Sequence, residues 1–274
     1  MVKKTAGTFM KQPMPNTFAQ KRIIVLRDWW NKYGNEFVGQ NVTMSIKHNL
    51  TLPLLQREYA NSGQLAGCPR TSIPFLEITP LYRVAQNGLL FVNCNPSGTD
   101  YTHYKSTNNN PPADCFLYDK QGNSYFNAVE EFAENLLGKG YNNYAMIDAF
   151  PIVMQNQAVI KKVFSDAYSL KNNRFNAFEE LISMFVETVE QIQPKIIIVT
   201  NAFVKDLFTD KNNRLRLKNV PKMEKDNVCY RIETSNGLKS TVFCGGMIAG
   251  GHQMDTESKE RMIRDIKDYL NKHP

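Results

Sequence analysis

The stretch Leu89-Leu-Phe-Val-Asn-Cys-Asn-Pro-Ser-Gly98 constrains the fold more than any other part of the chain. Leu89 to Val92 is an uninterrupted apolar run, and Asn95-Pro96-Ser97-Gly98 stops it with turn-forming residues. A strand without polar alternation is one covered on both faces, as in a parallel sheet flanked by helices. Ligands of open α/β sheets bind in the crevice outside the carboxyl ends of the strands. The run therefore predicts both a fold class and a position for a site, with the Asn95 carboxamide standing at it.

The rest of the chain extends this pattern. After strand 89–93 the sequence predicts a polar loop to about 121, a helix at 123–138 and a strand at 144–148. A further loop leads to a helix at about 174–192, whose stripe Phe178, Leu181, Ile182, Phe185 and Val189 reads as core. Pro194 precedes the β-branched strand Lys195–Thr200, followed by a short helix at 201–208 and a basic loop at 210–227. Two strands, 228–234 and 240–245, flank Asn236-Gly237, a strong hairpin signal. The last helix is expected at about 256–271. Strands alternating with helices indicate βαβ units. The expected architecture is a three-layer α/β/α sandwich around a central, mostly parallel sheet of four to five strands, spanning 89–274. Residues 1–88 read as a helical or irregular extension packed on it. There, 22–33 looks helical, and Pro53, Pro69, Pro74 and Pro80 favour short helices and turns over strands.

Composition bounds the partners. No apolar run approaches the ~20 residues that span a bilayer, so no membrane partner is expected, and the first residues lack the apolar core of a signal peptide. Five cysteines are scattered without a Cys-x-x-Cys pair, which predicts reduced thiols, a cytoplasmic location and no zinc or iron–sulfur site. The formal net charge is +7, and it is clustered. Lys3, Lys4, Lys11, Lys21, Arg22 and Arg27 precede the first acid, Asp28; Lys211, Arg214, Arg216, Lys218, Lys222 and Lys225 stand around Glu224. Such clusters are the footprint of a polyanion binder, or of a solvated tail and loop.

Four strand ends gather the candidate chemistry: Asn95 to Gly98, Asp148 to Pro151, Thr200-Asn201 and Gly245 to His252. The last offers several backbone N–H groups to a phosphate. Gly251 and His252 stand where a nucleotide-hydrolysing P-loop needs Lys and Ser or Thr, and the glycines come too late for a dinucleotide-binding turn. No Gly-x-Ser-x-Gly elbow is present.

These segments, taken in order, resemble the uracil-DNA glycosylase superfamily across roughly 89–270. Val92-Asn-Cys-Asn-Pro-Ser-Gly98 is similar to its first motif, a strand ending in Gly-x-Asn/Asp-Pro. The resemblance implies that Asn95 positions the water attacking the sugar C1′, with Pro96 against the base. Asp114-Cys115-Phe116 resembles the following aromatic segment, which implies that Phe116 stacks on the flipped base. Ala145-Met-Ile-Asp148 matches the second strand, whose last residue reads the base edge. Cys244 to Gln253 occupies the place of the final DNA-gripping loop. The resemblance thus implies phosphate contacts from Ser97, Gly98, Asn201, Gly245, Gly246, Met247, Gly250 and Gly251, with His252 near the cationic sugar. Tyr101, His103 and Tyr104 lie in a long loop after Asn95, and Tyr104 is assigned to the pocket wall.

Three departures shape the expected activity, the first being the long loop from Asn95 to Phe116, which implies an enlarged or reshaped pocket. The usual His-Pro-Ser of the last motif is missing, and Asp148 replaces an expected Asn. An ionised carboxylate only accepts hydrogen bonds, so it suits an exocyclic amine such as N4 of cytosine and repels O4 of uracil. The expected function is a monofunctional DNA glycosylase, without metal or cofactor, excising uracil or, from Asp148, a modified cytosine, in DNA repair or phage defence. Its partner is DNA, single- or double-stranded, and the protein is expected to be a monomer. The alternatives are a catalytically inert nucleic-acid-binding protein on the same scaffold, or a hydrolase of a small nucleoside. The expected catalytic residues are Asn95 and His252; in the plainer reading Asn95 caps a turn, Phe116 is core, Asp148 is a structural carboxylate and His252 is a loop residue with no catalytic role.

Overall fold

The computed structural model describes residues 22, 24–26, 28–34, 75–78, 88–95, 116–117, 124–140, 143–153, 157–170, 173–209, 223–226, 228–249 and 253–273. The elements are helix α1 within 22–34, β1 (Phe75–Ile78), β2 (Leu89–Asn93), β3 (Phe116–Leu117), α2 (Ser124–Leu137), β4 (Tyr144–Asp148), β5 (Ile152–Val153), α3 (Gln157–Leu170), α4 (Asn173–Ile192), β6 (Ile196–Val199), α5 (Ala202–Thr209), β7 (Met223–Asp226), β8 (Cys229–Glu233), β9 (Lys239–Cys244) and α6 (Thr256–Lys272).

The main sheet has the order β4-β2-β6-β9-β8-β7. Its first four strands are parallel, and β8 and β7 continue it antiparallel. Side-chain alternation on a strand divides its residues between two faces. Leu90, Val92, Ala145, Ile147, Ile197, Val199 and Val242 join one apolar cluster, with side chains of α1, α3, α4 and α5. Leu89, Phe91, Tyr144, Met146, Ile196, Ile198 and Phe243 join the other, with α2 and α6. This is the expected α/β/α sandwich, and each central strand is apolar throughout because both of its faces are covered. Between β8 and β9 the chain turns at Asn236-Gly237, where Gly237 takes φ 79°, a conformation nearly free for glycine.

Three local expectations change, and the helix expected at 22–33 forms. The sheet has six strands because Met223–Asp226, inside the expected basic loop, pairs with β8. A strand in this outermost position needs no apolar run, and charge protects its open edge. β1 forms within the proline-rich segment: Pro74 and Pro80 bound the strand without interrupting it. It pairs with β3 and β5 in a second, three-stranded sheet. The connection after β4 holds α3, whose Ile160, Val163, Phe164 and Ala167 are all buried. Helix α1 enters the core itself. Trp29 is buried and donates through Nε1 to Ala177 O at 2.9 Å, while Lys32 and Tyr33 both reach Glu180 Oε1, at 2.7 and 2.5 Å.

The winding of the chain fixes where a crevice opens. From β2 the chain leaves into α2 on one face, and from the adjacent β6 it leaves into α5 on the other. Neighbouring parallel strands whose connections part in this way leave a gap at their carboxyl ends, the usual ligand position of doubly wound sheets. Asn93 and Thr200 stand at that gap.

Candidate functional site

At the carboxyl edge of the sheet, Asn93 ends β2, Asp148 ends β4 and Thr200 follows β6. Asn93 and Asp148 are Cα partners across the parallel ladder. Asn93 has the parity of Leu89 and Phe91, and Asp148 that of Tyr144 and Met146, so both belong to the α2 face. Tyr125, in the first turn of α2, donates its hydroxyl to Asn93 Oδ1. Thr200 Oγ1 also donates to that oxygen, at 2.7 Å, and lies 3.2 Å from Val92 O and 3.4 Å from the Tyr125 hydroxyl. One carboxamide oxygen thus joins three secondary-structure elements across the crevice.

The electrostatics follow from burial. Asp148 is 8% exposed and Thr200 3%. Burial pushes the Tyr125 phenol well above its ordinary value, and the negative charge of Asp148 adds to the shift. Tyr125 therefore stays a neutral hydroxyl donor. Burial, with Asp148 again adding, also raises the Cys94 thiol far above the ordinary range; such a thiol is not a nucleophile. Tyr125, Asn93 and Cys94 were not singled out as site residues by sequence, although Asn93 lies inside the first motif. Tyr125 carries no local signal of its own, since its role depends on which strand end α2 packs against.

Asn95 is half-buried and donates through Nδ2 to Ile152 O at 3.5 Å. The β2 and β4 chains continue side by side beyond the strands, with Ala149 N bonded to Asn93 O and Phe150 N to Cys94 O. The structure thus brings Asn95 and Asp148 to one edge. Phe150 is buried in an aromatic cluster, 5.4 Å from the ring centroid of Phe178 and 5.9 Å from that of Phe203. On the opposite face a cavity of about 200 Å³ lies between α1 and α4, bordered by Asp148, Pro151, Leu26, Met184 and Phe185.

The phosphate-binding expectation changes at two residues. Asn201 is 3% exposed, and its Oδ1 accepts from Phe203 N at 2.9 Å and Val204 N at 3.2 Å. It caps the start of α5, where two amides otherwise lack partners; it is a structural residue instead of a phosphate ligand. Gly245 donates its N–H to Val199 O at 2.9 Å, extending the β6–β9 ladder, so that amide is not offered to a phosphate. A Cβ at Gly245 would lie 2.9 Å from the sulfurs of Met254 and Met262, so close packing accounts for this glycine. Gly246 is exposed. Met247 O accepts from Met254 N at 2.7 Å, and Ile248 is buried, so the loop is anchored at both sides. The N-terminus of α6 is already capped: Asp255 Oδ1 accepts from Ser258 N at 2.6 Å, and this bond holds its carboxyl below the usual value.

Phe116 lies on β3, opposite Glu77 of β1. The small sheet β3-β1-β5 reaches the site through β5, whose Ile152 carbonyl receives Asn95. The side chain of Phe116 lies outside the described residues, as do Pro96, Ser97, Gly98, Tyr104, Gly250, Gly251, His252 and the basic segment 210–222. Among the described residues, no helix is long and apolar enough to cross a membrane. No protein-family model matches the sequence, and a search of curated proteins gives no match either.

Proposed function

We propose that the chain is a DNA glycosylase that excises a pyrimidine, with a cytosine derivative as the preferred class, and leaves an abasic site. The observation that carries the reading is the convergence of Asn95 and Asp148 at the ends of two adjacent parallel strands, beside the crevice where the winding changes direction. The resemblance of 89–98 and 145–148 to the uracil-DNA glycosylase motifs supplies the chemistry for that pair.

In this reading the nucleotide leaves the stack, at a cost of a few kcal/mol. Asp148 accepts a hydrogen bond from the exocyclic amine of the base. Asn95 orients a water toward C1′. The water oxygen bonds to C1′ as the C1′–N1 bond breaks, its electron pair leaves with the base, and a water proton neutralises the products. Preorganised dipoles carry the charge that develops on the sugar. A role in DNA repair or in defence against phage DNA is compatible with this activity.

The test incubates the protein with labelled single- and double-stranded oligonucleotides carrying uracil, hypoxanthine, cytosine or 5-substituted cytosines, followed by alkaline cleavage. Strand breaks at a cytosine-type base, lost in Asn95→Ala with salt-dependent binding retained, are expected. Absence of breaks on every substrate refutes the proposal. Asp148→Asn is expected to shift preference toward uracil, and an unchanged ranking refutes base reading by Asp148.

A further inference from the structure

The crevice holds one polar group that the reading above does not use, Nδ2 of Asn93. Its partner atom Oδ1 accepts from both Tyr125 and Thr200. With Oδ1 facing both hydroxyls, Nδ2 lies on the other branch, and among the described residues it has no hydrogen-bond partner. Thr200 is buried while Asn93 is half-buried. Asp148 stands opposite Asn93 on the neighbouring strand, on the same face, and such strands lie about 4.8 Å apart. A donor and a carboxylate acceptor thus rise from neighbouring strands, and side chains that lean toward each other from there converge on adjacent groups of one base edge.

We infer that Asn93 is a specificity residue: its Nδ2 donates to ring N3 of a cytosine-type base while Asp148 accepts from the amine at C4. The inference rests on the glycosylase reading for the role of Asp148. Cytosine presents a donor at N4 beside an acceptor at N3. Uracil in the same orientation presents O4 to the carboxylate and N3–H to the Asn93 amide, so both contacts are like against like. Turning uracil over restores the match but carries its glycosidic bond away from Asn95. One pair of residues then rejects uracil at two positions instead of one.

The experiment measures binding by fluorescence anisotropy to two single-stranded oligonucleotides. Each carries one 2′-fluoroarabino nucleotide, which resists excision, bearing either cytosine or 3-deazacytosine, in which N3 is replaced by C–H. Wild-type protein is expected to bind the 3-deaza strand roughly tenfold more weakly, the size of one buried hydrogen bond left unmade. Asn93→Leu is expected to bind both strands equally. Tyr125→Phe keeps Asn93 but releases its oxygen from one hydroxyl, and is expected to shrink the ratio severalfold.

Equal binding of the two strands by wild-type protein overturns the inference. So does an Asn93→Leu protein that loses affinity for both strands with the ratio unchanged, because a purely structural asparagine acts on both alike. If Asn93→Leu does not fold, Tyr125→Phe decides, and an unchanged ratio overturns the inference. Excision of cytosine-type bases without N3 discrimination removes Asn93 as a reader and leaves the glycosylase reading standing. Discrimination without excision of any base does the reverse.

Discussion

The shared oxygen of Asn93 makes a quantitative prediction about stability, independent of any activity. Tyr125→Phe removes one donor to Oδ1, but Thr200 remains at 2.7 Å, so no acceptor is orphaned. A single buried hydrogen bond of this kind contributes about 1 kcal/mol net. Thr200→Val removes the other donor at nearly constant volume. It also removes the 3.2 Å contact to Val92 O, but that carbonyl keeps the Thr200 N–H at 3.0 Å, so this variant too is expected to cost about 1 kcal/mol. In the double variant Oδ1 loses both partners. The extra penalty of an unsatisfied acceptor is about 1–3 kcal/mol, and half-burial of Asn93 with access to water places it near the low end. The double variant is thus expected to lose about 3 kcal/mol, with a coupling of about 1 kcal/mol between the two sites. Urea denaturation of wild-type, single and double variants measures the cycle, with the m-value unchanged throughout. Additive losses, equal to the sum within about 0.3 kcal/mol, would refute Oδ1 as the common acceptor.

Other outcomes follow from the same contacts. Asn201→Ala is expected to lower stability by about 1 kcal/mol through loss of the α5 cap, while any DNA binding of the kind proposed keeps its wild-type affinity and salt dependence; weakened, less salt-sensitive binding would make Asn201 a phosphate contact. Gly245→Ala drives a Cβ to 2.9 Å from two methionine sulfurs, and because thioether chains shift easily a loss of about 1–2 kcal/mol in thermal or urea unfolding is expected; no loss would contradict the close packing. Burial pushes the Cys244 thiol up to about 12 from an ordinary 9.0, against an opposing effect of Lys205. A folded value above the unfolded one gives stability that is fully present below pH 9 and fades as pH rises toward 12. The urea midpoint is therefore expected to fall between pH 8.5 and 11, less so in Cys244→Ala, and an identical fall in that variant would assign it to other groups. At pH 8 neither Cys94 nor Cys244 is expected to react with iodoacetamide in the folded protein, as mass spectrometry of the labelled peptides will show.

Much of the fold was legible because burial on two faces writes itself into composition. Leu89–Asn93 and Tyr144–Asp148 form where their apolar runs predicted, and Ile196–Val199 lies within the run expected at 195–200. The Asn-Gly turn gives the β8–β9 hairpin for a purely local reason, the positive φ at Gly237. What escaped was written differently. Met223–Asp226 is a strand by pairing alone, since a charged edge strand carries no apolar signature. Phe75–Ile78 was hidden between prolines that mark its ends. The helix Gln157–Leu170 was present in the sequence, in Ile160, Val163, Phe164 and Ala167 at helical spacing, but the loop expected after Asp148 covered it.

The site was legible in part, and the division has a physical cause. That Asn95 and Asp148 meet at one edge was legible because each follows an apolar run, and a parallel sheet delivers all such ends to one edge. Asn201 and Gly245 were drawn into the same list by that rule, yet each is used by the scaffold, one as a helix cap and one as a ladder donor with no room for a side chain. Position at a strand end therefore selects candidates, and hydrogen-bond accounting separates those the fold has already used. Tyr125 runs the other way. Nothing in Ser124-Tyr-Phe-Asn marks it, because its function is to meet residues 32 and 75 positions away, Asn93 and Thr200. Those contacts exist only because α2 returns over the crevice at the point where the winding divides. A strand end read from sequence gives the acceptor and the donor their addresses. The helix that crosses above them supplies one of the two hydroxyls that the carboxamide oxygen faces.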